Sequence, residues 1–402
     1  MVEAGSNLGL GSIHVKTVIE PTPPPPPPPP KILGPFATMI KFSGFDGSKL
    51  RKESIASTRG IISAIIFIVF ASCLMVETII LMGIESKPFT LGWAESNIYS
   101  FMSAQSFISA ICLFSWTREK FLSQFEDTLA RIRGLRLSTS QTIDDYTKFH
   151  RKAALLIIPI FGVILTNSFY TSISNKHFRD DNTTFFSTSS IFLVAPIIDL
   201  IGCVATSLAI ITYVTVNVAL NREIKHFNKE LTNSARFQQL TLPQVLNTYS
   251  KRHSDILQLI RFSNKHTSKY ATIVPFFTLV TVINSFYIIG SFKPILDSFE
   301  YILFIGWVFV SMGITISSFL PLVKIQENIV DTSEILMHDD VLQTCGDDQM
   351  HHTYRVTLDR CIHSNTKIAF LSAFNIDSVV FNRIMFLVPN IAELLIILNQ
   401  PH

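Results

Sequence analysis

The sequence predicts an all-α integral membrane protein: seven transmembrane helices in inverted topology, with the amino terminus in the cytoplasm, the carboxyl terminus outside and cytoplasmic helical extensions. Three observations carry this expectation. Charged residues make up only 16% of 402 residues against 48% hydrophobic, where a soluble domain carries about 25% charged. The apolar residues are gathered into blocks of bilayer-spanning length. Basic residues crowd every second loop.

A helix needs about 20 apolar residues to cross the hydrocarbon core, and seven blocks reach that length. The first, Ile61–Met82, holds one charge, Glu77. The second, Ile98–Trp116, and the third, Ala153–Ser172, hold none. The fourth, Ser187–Leu220, is longer than a membrane requires and contains Asp199. The fifth and sixth, Tyr270–Phe292 and Tyr301–Val323, are uncharged. The seventh, Ser378–Gln400, is the most polar and carries Arg383 and Glu393. Soluble core helices rarely run this far without charge. The first 30 residues hold no apolar core of the length a cleavable signal needs, so the first span is expected to act as the targeting signal. Pro159, Pro196, Pro275, Pro321 and Pro389 fall inside five of the spans, each removing a backbone donor and inviting a kink.

Orientation follows the basic residues, which stay in the cytoplasm. The amino-terminal tail and the loops after spans two, four and six hold 28 Lys and Arg; the other three loops hold 4, and Arg383 lies within the last span. The sequon Asn182-Thr183-Thr184 falls in a loop assigned outside, as glycosylation at Asn182 requires. A plasma-membrane, multi-pass protein with a cytoplasmic amino terminus inverts the arrangement of a G-protein-coupled receptor. Nor does an Asp-Arg-Tyr end the third span, or an Asn-Pro-x-x-Tyr the seventh.

Between the spans, residues 1–30 read as a disordered tail ending in the run Pro23 to Pro30. Such a run adopts polyproline II, either as a passive spacer or as a docking segment for an SH3- or profilin-type partner. Residues 31–60 form a cytoplasmic segment before the first span, and 61–323 hold spans one to six with their extensions. Helical stripes recur at Phe121, Phe125, Leu129 and Ile132, and from Leu242 through Val245, Tyr249, Ile256 and Leu259 to Phe262. Residues 324–353 are expected to be a mobile acidic loop, 354–377 a cytoplasmic anchor helix, and 378–400 the seventh span.

Function classes fall away quickly. A net charge of +3 is too small to suggest nucleic acid as a partner. Five cysteines without a C-x-x-C pair exclude a disulfide scaffold, and Cys345, His351, His352, Cys361 and His363 match no standard metal-ligand spacing. No nucleophilic triad, phosphate-binding glycine loop or paired-carboxylate site is present, so neither an enzyme nor a cofactor is expected. A transporter lacks its inverted repeat and interrupted helices.

The seventh span has a polar face. At about 100° per residue, Arg383, Asn390, Glu393, Gln400 and Asn382 share a sector roughly 100° wide, with Phe386 and Ile397 among them. Arg383 to Gln400 covers about 26 Å, most of the hydrocarbon core. A polar stripe of this length must face protein or water. Either it packs on the other six helices, or copies of it meet around an aqueous path, where Glu393 would form a carboxylate ring suited to cations.

The carboxyl end resembles the insect gustatory and odorant receptor superfamily, including gustatory-receptor-like proteins of other animals. That family ends its seventh span with Thr-Tyr, five mostly apolar residues and Gln-Phe. This chain reads Glu393-Leu394-Leu395-Ile396-Ile397-Leu398-Asn399-Gln400-Pro401, keeping the apolar run and Gln400 and departing at Glu393, Leu394 and Pro401. Ala373-Phe374-Asn375-Ile376-Asp377 resembles the family's Gly-x-Phe-x-Ile-Asp entry to that span. His253-x-x-Ile256-x-x-Leu259 followed by Asn264-Lys265-His266 is a further echo before span five.

The resemblance implies a homo- or heterotetrameric, ligand-gated, non-selective cation channel in membrane lipid, with span seven lining a central pore. Asn390, Glu393, Ile397 and Gln400 are then the expected pore-lining residues, Glu393 on periodicity alone. The resemblance also implies a small organic ligand entering from outside among spans two to six. Polar and aromatic groups in those outer halves are Tyr99, Asn167, Tyr170, Tyr287 and Trp307, with Asp199 near mid-membrane. The alternative expectation is a sensory receptor, chemical or light, that signals through cytoplasmic partners without conducting.

Overall fold

Without water to bond to, a backbone inside a bilayer satisfies its own N–H and C=O groups, and a single apolar segment does so only as a helix. The computed structural model describes residues 32–48, 50, 58–83, 87–136, 145–174, 189–343, 347–364, 366–371 and 373–399. After a short helix α1 (Pro35–Phe42) come α2 (Thr58–Gly83), α3 (Leu91–Arg118), α4 (Phe121–Arg133), α5 (Thr147–Ser174), α6 (Ser189–Arg236), α7 (Pro243–Ser291) and α8 (Ser298–Met337). Then follow α9 (Asp340–Gln343), α10 (Asp348–Ile362), a hairpin of β1 (Ala369–Phe370) and β2 (Phe374–Asn375), and α11 (Ser378–Leu398). Seven of these, α2, α3, α5, α6, α7, α8 and α11, are long and apolar enough to cross a membrane. The chain is an all-α, multi-pass membrane protein with the seven spans its sequence predicts. The prolines singled out above all lie inside these helices.

Helices α6, α7 and α8 run for 48, 49 and 40 residues, or roughly 60–73 Å at 1.5 Å per residue. That is about twice a hydrocarbon core, so each continues well beyond the bilayer. The ends beyond Leu220, before Tyr270 and beyond Val323 bundle together. At their centre Arg252, buried to 1% exposure, pairs with Glu223 at 2.9 Å and with Glu230, while Arg136 also pairs with Glu223. Asn228 donates to the Asn328 carbonyl at 2.7 Å and accepts from Thr332 at 2.6 Å, tying α6 to α8. The α4 stripe is buried as its spacing predicts, at Phe121, Phe125, Leu129 and Ile132. A left-handed Lys120, φ 53°, separates α4 from α3.

Two segments differ from expectation. Residues 324–337, expected within an acidic loop, continue α8, because Ile325, Ile329, Thr332, Ser333 and Leu336 recur at helical spacing and are buried. The expected helix over 354–377 starts earlier and stops sooner. Asp347 caps α10, accepting from the Gln349 amide at 2.9 Å. After Ile362 the chain turns extended, with Ala369 opposite Asn375 and Phe370 opposite Phe374. Burial of Phe370 against Phe319 and of Ile376 in the core anchors this extended chain. Asn264 and Gln326 both donate to the Thr366 carbonyl, at 2.6 and 3.1 Å. The proline run and Cys345 lie outside the described residues.

Candidate functional site

Among the described residues, ionisable groups at membrane depth gather in the outer halves of α2, α3, α5, α6 and α8 and on one face of α11. The first begins with a capped helix start. Thr90 accepts from the Trp93 amide at 3.2 Å, so α3 begins seven residues before Ile98 and carries Glu95 into the bundle. One turn on, Tyr99 donates to Asn167 of α5 at 3.3 Å. A further turn on, Ser103 donates to Glu77 of α2 at 2.8 Å. Ser106 then meets Thr206 of α6 at 3.1 Å, where Gly202 leaves room for the close approach: a Cβ there would lie 3.0 Å from Ser106. Residues 95, 99, 103 and 106 thus make one polar edge of α3.

Opposite that edge stands Asp199 of α6, close enough to Ser168 of α5 and to Glu77 of α2 to interact with both. At the outer end Tyr170 donates to Asp297 at 2.8 Å and to Glu300 at 3.2 Å. Asp297 also caps α8, accepting from the amides of Phe299 and Glu300 at 2.8 and 2.7 Å. The structure therefore brings Tyr99, Asn167, Tyr170 and Asp199 into one region, with Glu77, Glu95, Ser103, Ser168 and Glu300 beside them.

Tyr287 engages a different set. Its hydroxyl donates to the Phe89 carbonyl at 2.7 Å and its ring meets Trp93 and Phe292, pinning the connection between α2 and α3. Trp307 is buried in the bundle with no partner for its indole N–H among the described residues. Asn182 and Gln400 lie outside the described residues.

Helix α11 starts where Asp377 accepts from the Val380 amide at 2.8 Å. Val388 and Ala392 are its buried residues, and Ile396 occupies the space beside Gly290 of α7. Arg383, Phe386, Asn390, Glu393 and Ile397 are all exposed. At about 100° per residue, their sector lies on the far side of the helix from Val388 and Ala392. Of the two placements open to the polar stripe, packing on the other six helices of its own chain is therefore not the one adopted. Among the described residues no group of His, Cys, Asp or Glu could hold a metal ion.

Solved structures share this fold. The insect olfactory receptor OR5 from Machilis hrabei in complex with eugenol superposes with a TM-score of 0.67 at 12% identity, over 90% of this chain and 98% of that one. A second structure of the same receptor gives 0.63 and 12%, over 90% and 96%. At such identity the likeness is one of fold, and it is the fold that the carboxyl-terminal resemblance implies. No curated protein matches the chain in sequence. A family model does match, over residues 32–392, and the chain belongs to that family, described as Caenorhabditis protein of unknown function, DUF267.

Proposed function

We propose that the protein is a chemosensory, ligand-gated, non-selective cation channel of the plasma membrane. Four copies, alike or mixed, surround a central pore lined by α11, with the amino terminus in the cytoplasm. The observation that carries this reading is the outward face of α11. A helix that exposes Arg383, Asn390 and Glu393 on the side away from its own bundle leaves ionisable groups at mid-membrane, which is costly in lipid. Copies meeting around water remove that cost and place Glu393 in a ring that attracts cations. The fold likeness to an olfactory receptor supports the same assembly, and that receptor's complex with eugenol supports a small organic ligand. Ligand binding among the outer halves of α3, α5, α6 and α8 shifts a closed-to-open equilibrium that α7, packed on α11, conveys to the pore.

Patch-clamp recording of the wild type beside Glu393→Gln, across a panel of small ligands and ultraviolet light, tests this. The expected result is a stimulus-gated current whose cation selectivity or divalent block shifts in the variant. A current indifferent to the substitution removes Glu393 from the pore. A purified complex that counts as a monomer removes the central pore altogether.

A further inference from the structure

Among the described residues, the outer-half cluster contains acids and no counter-charge. Glu77, Glu95, Asp199 and Glu300 come from four different helices, and none makes an ion pair with a described Lys, Arg or His. Two of them are accounted for locally: Glu300 closes the capping box of α8, and Glu77 accepts from Ser103. Glu95 is not. It is 7% exposed, has no hydrogen-bond partner among the described residues, and lies close enough to Glu300 for the two carboxylates to repel. Tyr99, one helical turn from Glu95, bonds to Asn167 at 3.3 Å, and Asn167 lies one turn from Tyr170, whose hydroxyl reaches Glu300 at 3.2 Å, so the Tyr99 ring stands on the polar seam that joins α3, α5 and α8.

A second observation is independent of the acids. Trp307 is 2% exposed and its Nε1 has no hydrogen-bond partner. It stands seven residues from Glu300 on the same face of α8, about 10 Å deeper. An indole N–H is a donor only, so burying it unpaired leaves a place for an oxygen acceptor. Unpaired carboxylates out of water are equally unsatisfied, and the group that satisfies them is a cation. Aromatic rings beside carboxylates are the usual recognition chemistry for an ammonium.

We propose that this cluster binds a small organic cation, the ammonium held at Tyr99 between Glu95 and Asp199 and an oxygen at the other end of the ligand accepting from Trp307. This names the ligand class of the site proposed above and rests on reading those outer halves as the ligand site. It does not require that the protein conduct.

The test is binding to the purified full-length protein in lipid nanodiscs, read as a saturable shift in melting temperature. The probes are tyramine, whose phenol supplies the oxygen for Trp307, and two cations that lack it, 2-phenylethylamine and a phenylethyl trimethylammonium salt, with the two amines each beside its neutral alcohol isostere; tyramine is expected to bind the most tightly. The expected result is that the cations bind at least tenfold more tightly than the isosteres, and that Glu95→Gln or Asp199→Asn weakens cation binding at least tenfold. Glu95→Gln removes an unpaired buried charge and Asp199→Asn a half-buried one, so each unliganded protein is expected to melt no lower than wild type. Equal binding of amine and alcohol, cation affinity unchanged in both variants, or no binding of any cationic probe overturns the proposal. Saturable amine binding to a protein that passes no current would uphold this site and remove the channel; currents evoked only by neutral ligands would do the reverse.

Discussion

Arg252 and Glu223 meet at 2.9 Å where three long helices leave the bilayer, both side chains almost wholly shielded from water. Arg252 also pairs with Glu230, stacks over Phe227 at 5.5 Å and shares Glu223 with Arg136. Burial alone would raise the Glu223 carboxyl, yet the two guanidiniums hold it below the usual glutamate value. Removing one partner of such a pair strands the other as an uncompensated charge. Arg252→Ala is expected to cost about 3–5 kcal/mol, seen as a large drop in melting temperature of the purified protein. The Arg252→Met, Glu230→Gln double variant, which leaves Glu223 with Arg136, should recover much of that loss. Equal stability of Arg252→Ala and wild type would show the network to be idle.

One turn before Ile256, His253 lies in the extension of α7 outside the bilayer, fully buried against Phe227 and 3.5 Å from the Cys361 sulfur. Burial, with the charge of Arg360, pushes its pKa down from 6.5 to about 4. A base lowered on folding favours the folded state above its unfolded pKa, and that advantage fades as pH falls toward the folded value. Stability is therefore expected to decline between about pH 6.5 and pH 4, by up to ~3 kcal/mol. His226, also lowered by burial, adds in the same direction. Glu223, depressed below 4.5, loses its contribution only in more acid solution. Melting curves of His253→Leu should show a shallower decline than wild type across that window; an identical slope would assign the pH dependence elsewhere.

The spans were legible because seven runs without charge admit almost no other structure, and because the α4 and α7 stripes keep helical spacing. What escaped reading are places where the local signal is weak or points the wrong way. Glu95 was hidden because the charge-free block of the second span begins only after it, at Ile98, whereas the Thr90 cap starts the helix at Leu91. The hairpin at 369–375 is held by Phe370 against Phe319, a contact between distant residues that no local periodicity announces. Tyr287 has the composition of a pocket residue, but its hydroxyl is used by the Phe89 carbonyl. Only the chain path decides that.

Gly290 is the point where α7 lies against the seventh span. A Cβ there would collide with the end of the Ile396 side chain, so glycine is what allows this approach. Gly290→Val is expected to push α11 off α7 and to cost about 1–3 kcal/mol by overpacking. Adding Ile396→Ala should restore part of the loss, because the clashing atoms are gone. The comparison is a double-mutant cycle in melting temperature. Additive losses would mean that the two helices do not rest on each other at this residue pair.

The exposed surface of α11 divides in two. Leu387, Ile391, Leu394 and Leu398 form an apolar strip, and at about 100° per residue the sector of Arg383, Asn390 and Glu393 adjoins it. Lipid or a neighbouring copy suits the first strip; only water or another polar surface suits the second. Single cysteines separate these environments, since only a water-exposed thiol ionises and reacts readily. Asn390→Cys and Ile397→Cys are expected to react at least tenfold faster with a membrane-impermeant thiol reagent than Leu387→Cys, Leu394→Cys or the buried Val388→Cys, and their reaction should reduce any ligand-gated current. The experiment is read against a background in which Cys73, Cys112, Cys203, Cys345 and Cys361 are replaced by serine or alanine. Faster reaction of the leucine positions would turn the helix around, and uniform protection of all five positions would place the polar strip in a dry contact between copies, without an aqueous path.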